Sequence, residues 1–220
     1  MINSRYKAPF FEYECYHLYN RTNNFELLFR NDDDYAFFMA KYSAITAGYL
    51  DLFSWNLLPT HFHLLAKLKS YAAIYNHLQN IPEEQLVLTE KRFLTHRATV
   101  HELIRNIFQR FFISYCKYYN FIHNRKGNLF HRPFRHVHVN KESQFTQAVI
   151  YINANAVKHG LVTNINDHKW SSYHSIISNE KTNLCRQEIL DWFGGRDQFI
   201  NVLKEQTAYY YNSDVGIEEE

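Results

Sequence analysis

Cysteine, proline and glycine are scarce in this chain of 220 residues, at three, four and six respectively. Cys15, Cys116 and Cys185 are odd in number and far apart, and no C-x-x-C pair occurs. That excludes a disulfide scaffold or a cysteine zinc site and fits a reducing compartment. No internal repeat or low-complexity tract is visible. No N-terminal signal pattern stands at the start, and no apolar run approaches the roughly 18 residues of a membrane span, so a cytoplasmic protein is expected. An excess of one charge is lacking too: the formal balance is only +2, which taken alone is poor support for nucleic-acid binding.

What is present is a core and an uneven charge pattern. Apolar residues make up 46% and aromatics 17%, enough to bury a real core and to stack on bases. Acids gather in Asp32-Asp33-Asp34, Glu83-Glu84 and Glu218-Glu219-Glu220. Residues 123–141, HNRKGNLFHRPFRHVHVNK, contain no acid. Here Arg125, Lys126, Arg132, Arg135, His136 and His138 interleave with Phe130, Phe134, Val137 and Val139, as in a segment that both packs and binds phosphates.

Residues 11–20 partly alternate and suggest a strand. DDDYAFFMAKYSAITAG is an acid-capped helix ending near Gly48. YLDLFSWNLL is a strand that Pro59 stops, forming a hairpin with the next segment. Residues 69–102 are a partly helical insertion without a clean period. Ile104, Ile107, Phe108, Phe111, Phe112 and Tyr115 mark an amphipathic helix over 103–119. A short strand FRHVHVN and a helix from about Ser143 follow. An irregular stretch through HKWSSYHS then leads to two C-terminal helical pieces broken at Gly194-Gly195. This order predicts an α+β fold of ferredoxin-like kind, an antiparallel sheet with helices covering one face. The chain divides into a domain over 1–178 and a helical appendage over 179–220.

LLPTHFHLLAKLK holds two histidines one residue apart. On a strand, Phe62, Leu64, Ala66 and Leu68 share one face and His61, His63, Leu65 and Lys67 the other. Two imidazoles on a rigid strand are either a cross-strand pair or a ligand pair for a divalent metal. In SQFTQAVIYINANAVKHG, Phe145, Ala148, Val149, Ile152 and Ala156 form the apolar stripe of a helix. Tyr151 lies at its rim, with Asn155 one turn on. Trp170 is either a core plug or, with Tyr173, an exposed ring for unpaired bases. Lys158 adds a base at the end of the helix.

Over most of residues 12–175 the chain resembles the single-tyrosine transposases of the HUH class, most closely the REP-associated tyrosine transposases. The resemblance rests on YNRTNN with ELLFRNDDDYAFF, on LLPTHFHLL, on FFISYCKYYNFIHNRKGNLFHRPFRHVHV, on AVIYINANAVKHGLV and on KWSSY. It implies a metal-dependent single-strand DNA endonuclease and transposase acting at hairpin-flanked sites, as a monomer or a homodimer. Tyr151 matches the nucleophile that forms a 5′-phosphotyrosine. His61 and His63 match the metal pair for Mg²⁺ or Mn²⁺. Asn155 falls where related insertion-sequence transposases keep a third, glutamine ligand. Thr60 stands where asparagine is usual and Ala156 where proline is usual, and 69–102 is longer than the typical connection.

Two further readings start from the same residues. A relaxase or replication initiator of this class would use an earlier tyrosine, with Tyr6, Tyr13 and Tyr16 available. A DNA-hairpin-binding protein of the same fold would bind without cutting. A phosphoesterase with paired H-x-[ST] motifs is excluded, because the chain contains neither H-x-S nor H-x-T.

Overall fold

The computed structural model describes residues 8–131 and 133–212. Four strands and eight helices alternate among them: β1 (Cys15–Arg21), α1 (Asp32–Thr46), β2 (Leu50–Leu58), β3 (His61–Leu68), α2 (Tyr71–Gln79), α3 (Leu88–Leu94), α4 (Val100–Ile122), β4 (Arg135–Val139), α5 (Glu142–Lys158), α6 (Tyr173–Ile177), α7 (Arg186–Phe193) and α8 (Arg196–Asn212). The sheet is antiparallel throughout, in the order β2-β3-β1-β4, the ferredoxin-like arrangement. β3, carrying the paired histidines, is therefore an interior strand.

Local chemistry sets the element ends. Asn31 caps α1 through its side chain, accepting from the Asp34 N–H, and three aspartates occupy the first turn, where the helix dipole favours negative charge. Thr99 and Glu102 form a reciprocal capping box at the start of α4. Gly48, after α1, has the His77 ring packed so tightly on it that a Cβ would lie 2.0 Å from Nε2. Only glycine lets α2 close on this turn. β1 begins at Cys15, four residues later than its alternation suggests, because residues 12–13 form a turn and Tyr13 adopts a left-handed φ of 63°. The 69–102 insertion folds into α2, α3 and the connections around them.

Each face of the sheet carries its own core. Phe62, Leu64, Ala66 and Leu68 of β3 point toward α1 and α4 and pack with Phe38, Phe111 and Tyr115. Leu65 points the other way, joining Val149 and Ile152 of α5, Ile189 and Phe193 of α7, and Phe199 and Leu203 of α8. Helices thus cover both faces, not the single face expected. The apolar stripe of α5 needs a surface of its own, and α1 and α4 already fill the other side. α7 and α8, at the C-terminal end, supply part of the second core. Each ring or aliphatic side chain buried here contributes about 1.5–3 kcal/mol.

One irregularity in β2 matters for the site. Register shifts between Leu52 and Ser54, so that Ser54 pairs with Leu65 and Asn56 with His63. Phe53 is the extra residue of a β-bulge, and its insertion turns Ser54 and Asn56 onto the α5 face. Strict alternation would have put both polar side chains into the aromatic core.

Candidate active site

His61 and His63 stand on the α5 face of β3, with ring centroids 5.2 Å apart. β1 pairs His17 with Leu65 and Tyr19 with His63, which brings both rings to the same face. His17 Nε2 lies 2.9 Å from His63 Nδ1, and Thr60 Oγ1 lies 3.1 Å from His61 Nδ1. The Nδ1 atoms are therefore both engaged. His63 Nε2 is buried and has no partner. A histidine whose Nδ1–H is held by a neighbour presents its other nitrogen as a fixed lone pair. Thr60, the departure at the position before the first histidine, here serves as an orienting group.

α5 crosses above this face. Tyr151 is half-buried, its ring edge-on to His63 at 5.6 Å and to His17 at 5.9 Å. Lys158 Nζ lies 4.8 Å from the centre of the Tyr151 ring, a cation–π distance. His159, at the end of α5, approaches His61 with ring centroids 4.9 Å apart. Asn155 does not sit at the rim its helical position suggests: it is 0% exposed, and neither of its side-chain polar atoms meets a partner in bonding geometry. Asn56 donates to the Ile152 carbonyl at 2.7 Å, but its Oδ1 is also unpartnered. His63, Asn155 and Asn56 thus contribute four buried polar atoms without partners. Each costs about 1–3 kcal/mol, and such groups in a native fold mark a binding or catalytic role or an ordered water.

Neighbouring polar groups of α5 are fully engaged. Asn153 donates to Ser54 Oγ at 2.9 Å and accepts from Ser172 Oγ at 2.8 Å, while the Trp55 N–H reaches Ser172 Oγ at 3.0 Å. This network ties α5, β2 and the K-W-S-S-Y segment together and fixes the height of Tyr151 over the histidines. The contrast along one helix, satisfied Asn153 and unsatisfied Asn155, separates a structural amide from a candidate ligand.

Electrostatics keep the imidazoles neutral. Burial pushes His17 down to about 4 from the ordinary 6.5, and it pushes His61 to about 4 as well, with His159 adding to the lowering and the nearby Asn155 amide opposing it. His63 falls well below 6.5 through burial first and then the surrounding His17, His61, His159 and Lys158. A neutral imidazole is the form that ligates a metal. Among the described residues no group of three or more His, Cys, Asp or Glu side chains is arranged to hold a metal ion. Any site here has to draw on the Asn155 amide beside His61 and His63. That donor set, two imidazole nitrogens and an amide oxygen, suits Mn²⁺ and is compatible with Mg²⁺.

The sequence-predicted nucleic-acid contacts scatter. Arg135 pairs across from Tyr19 and so lies on the site face of β4, whereas His136 and His138 lie on the α4 face. His138 bonds Glu14 at 2.8 Å, and His136 meets the Ala8 carbonyl at 2.6 Å. Lys126 is exposed. Arg125 is consumed by the fold: it bonds Glu26 at 2.6 Å, Asn120 at 2.9 Å and the carbonyls of Gly127 and Asn128. Arg132 lies outside the described residues. Trp170 stacks on Tyr35 at 4.7 Å and donates to Asp32, which makes it a latch against the first core. Tyr173 is 2% exposed within the second core, a correction to its reading as an exposed ring.

The earlier tyrosines behave differently from Tyr151. Tyr16 is 1% exposed on the α4 face, donating to the Pro9 carbonyl. Tyr13 is exposed ahead of β1. Tyr6 lies outside the described residues. His17, Tyr19, Asn56 and His159 join the site without having been anticipated.

No protein-family model and no curated protein matches the chain. Among solved structures, it matches that of a REP-associated tyrosine transposase bound to a REP hairpin, at 16% identity, with a TM-score of 0.51 over 80% of this chain and 87% of the other. The likeness shows a shared fold, the α+β architecture with its four-stranded antiparallel sheet. No helix among the described residues is long and apolar enough to cross a membrane.

Proposed function

We propose that the protein is a single-tyrosine HUH endonuclease of transposase type, cutting single-stranded DNA at hairpin-flanked sites in the cytoplasm. The carrying observation is Tyr151 half-exposed on α5 against His63 and His17, above buried polar atoms that have no protein partner. The fold shared with a transposase solved on a REP hairpin supports the same reading.

The phenolic oxygen of Tyr151 attacks phosphorus, the P–O3′ bond breaks, and the 3′-oxygen leaves to take up a proton as a 3′-hydroxyl. The 5′ side stays on the protein as a phosphotyrosine, which conserves the bond for rejoining. Lys158 places a positive charge over the ring, 4.8 Å from its centre, on the side from which the phosphate approaches. His61, His63 and Asn155 would hold a divalent ion, Mg²⁺ or Mn²⁺, which supplies Lewis-acid neutralisation of the phosphate when bound. Arg135, on the same face, and Lys158 lie where phosphates approach. Tyr19 also stacks on His63, at 5.7 Å, but is 6% exposed, too enclosed for a phosphodiester to reach.

The test is incubation with short single strands carrying flanking hairpins, read as a protein–DNA band that survives denaturation. The wild type forms the band, and mass spectrometry places it on Tyr151. An adduct on another tyrosine refutes the assignment, and binding with no adduct on any such strand favours the non-cutting hairpin-binding protein.

A further inference from the structure

On the opposite side of the sheet from Tyr151, a groove of about 1190 Å³ runs along α4. Its floor and one wall come from α4, where His101, Arg105, Gln109, Phe112, Cys116 and Asn120 recur at helical spacing along one stripe. At 1.5 Å per residue that stripe is about 28 Å long. Residues 128–131, with Pro133, Phe134 and His136, form the second wall. Thr89 and Arg92 of α3, with Ala98, close one end. The 69–102 insertion, longer than the connection expected, thus has a definite place: it walls this groove.

Charge in the groove is one-sided. Arg92, Arg105 and Lys117 line it against a single acid, Glu102, whose carboxylate is held by Thr99 in the capping box of α4. Arg105 and Lys117 are exposed and form no hydrogen bond or ion pair among the described residues. Arg110, on another flank of the same helix, is paired with Glu90 at 2.5 Å. The uncompensated field is felt locally. Arg105 adds to the lowering that burial imposes on both His101 and His136. Apolar surface lies between the charges: Phe112 and Phe134 are partly buried, with ring centroids 5.2 Å apart, and both face the groove. Asn106 Oδ1 and His136 Nδ1, two further lining groups, are buried without partners.

We infer that this groove binds a strand of single-stranded nucleic acid, with Arg105 and Lys117 on its phosphates and Phe112 and Phe134 beneath its bases. Unneutralised cations alternating with aromatic faces and free amides fit that polymer. A duplex keeps its bases stacked on each other and offers no face to the two rings. The strand lies on the far side of the sheet from the cleavage site, so the protein carries two separate nucleic-acid surfaces. This inference does not depend on whether Tyr151 cuts.

The experiment is fluorescence anisotropy of the full chain with a labelled 20-nucleotide oligo-dT, across a salt series. The double variant Arg105→Ala/Lys117→Ala is expected to bind about 10-fold or more weakly. Its log K against log salt slope should fall by about 1.4, the release of two counterions from a single strand. Phe112→Leu/Phe134→Leu should weaken binding several-fold with the slope kept, and thermal melts verify that each variant folds. Lys204→Ala, an exposed cation on α8 outside both surfaces, serves as the control with binding unchanged. Photocrosslinking with 5-iodouracil should label peptides from 105–117. Unchanged affinity and slope in the charge variant would overturn the inference. So would a duplex of the same length that outcompetes the single strand and depends on the same two residues.

Discussion

The two faces of the sheet treat polar groups in opposite ways. On the α1/α4 face, buried polar groups are consumed by the fold. Asp34, fully buried, accepts from the Arg30 backbone N–H at 2.8 Å and from His123 at 2.9 Å. Glu90 accepts from Tyr49 at 2.8 Å, the Val87 N–H at 2.9 Å and Arg110 at 2.5 Å, and Tyr115 donates to the Leu28 carbonyl at 2.8 Å. The exceptions on that side are Tyr42 Oη in the interior and Asn106 Oδ1 and His136 Nδ1 along the groove beside α4. On the α5 face, His63, Asn155 and Asn56 are buried as deeply and left incomplete. The first face is built to stay folded. The second holds polar atoms away from water and from partners, a cost tolerated where a ligand completes them.

The sharpest way to test this contrast is at Tyr151. Tyr151→Phe should reduce covalent adduct by about 10⁴-fold or more, since no atom remains to attack phosphorus. Its unfolding free energy should move by no more than about 1 kcal/mol, one hydrogen bond. His61→Ala/His63→Ala should lose the adduct equally while retaining hairpin binding in a gel-shift assay, because phosphate contacts lie elsewhere. Adduct surviving in the double variant would remove the metal role.

Asp34→Ala probes the satisfied face. It should lower stability by about 2–3 kcal/mol, the scale of losing the hydrogen bonds of a buried carboxylate, with adduct per folded molecule unchanged. Urea unfolding followed by circular dichroism measures the first quantity. A variant of near-normal stability would mean that the α1–α4 tie is dispensable.

Acid should single out the other face. His17 and His61 have folded pKa values near 4 against an ordinary 6.5, so below pH 6.5 the unfolded chain takes up protons that the folded chain refuses. Their stabilising contribution is fully present above about 6.5 and is lost as pH falls toward 4, by about 1.4 kcal/mol per pH unit for each group. Urea midpoints at pH 7 and pH 5 should differ, and His61→Ala should shrink the difference. An identical pH dependence in that variant would show that His61 is not the buried neutral group described.

The smallest shift in stability is expected at Asn155. A near-isosteric Asn155→Leu removes two unpartnered polar atoms, so the protein should hold its stability or gain about 1 kcal/mol while adduct formation falls. A loss of several kcal/mol would mean that the amide is a structural partner after all.

Much of this was legible in the sequence. The alternation of Phe62, Leu64, Ala66 and Leu68 placed both histidines on one face, and the stripe of α5 put Tyr151 at its rim, while only the resemblance joined the two. What was hidden depends on pairing. His17 and Tyr19 are ordinary members of an aromatic strand until the register sets them against Leu65 and His63. Asn56 was invisible because a bulge, which no local pattern announces, reverses the faces of β2. Arg125 and Tyr173 were misjudged for a related reason. A basic or aromatic side chain in a loop-rich stretch reads as available, and only tertiary structure shows what has already engaged it.

Because the histidines belong to β3 and the tyrosine to α5, the site cannot exist in a partly made chain. About ninety residues separate His63 from Tyr151, which at the usual pace of synthesis is on the order of ten seconds of translation. Throughout that interval the growing polypeptide carries the imidazoles without Tyr151, while the first core can form on the other face of the sheet. Translation order alone therefore withholds the assembled site until α5 has emerged.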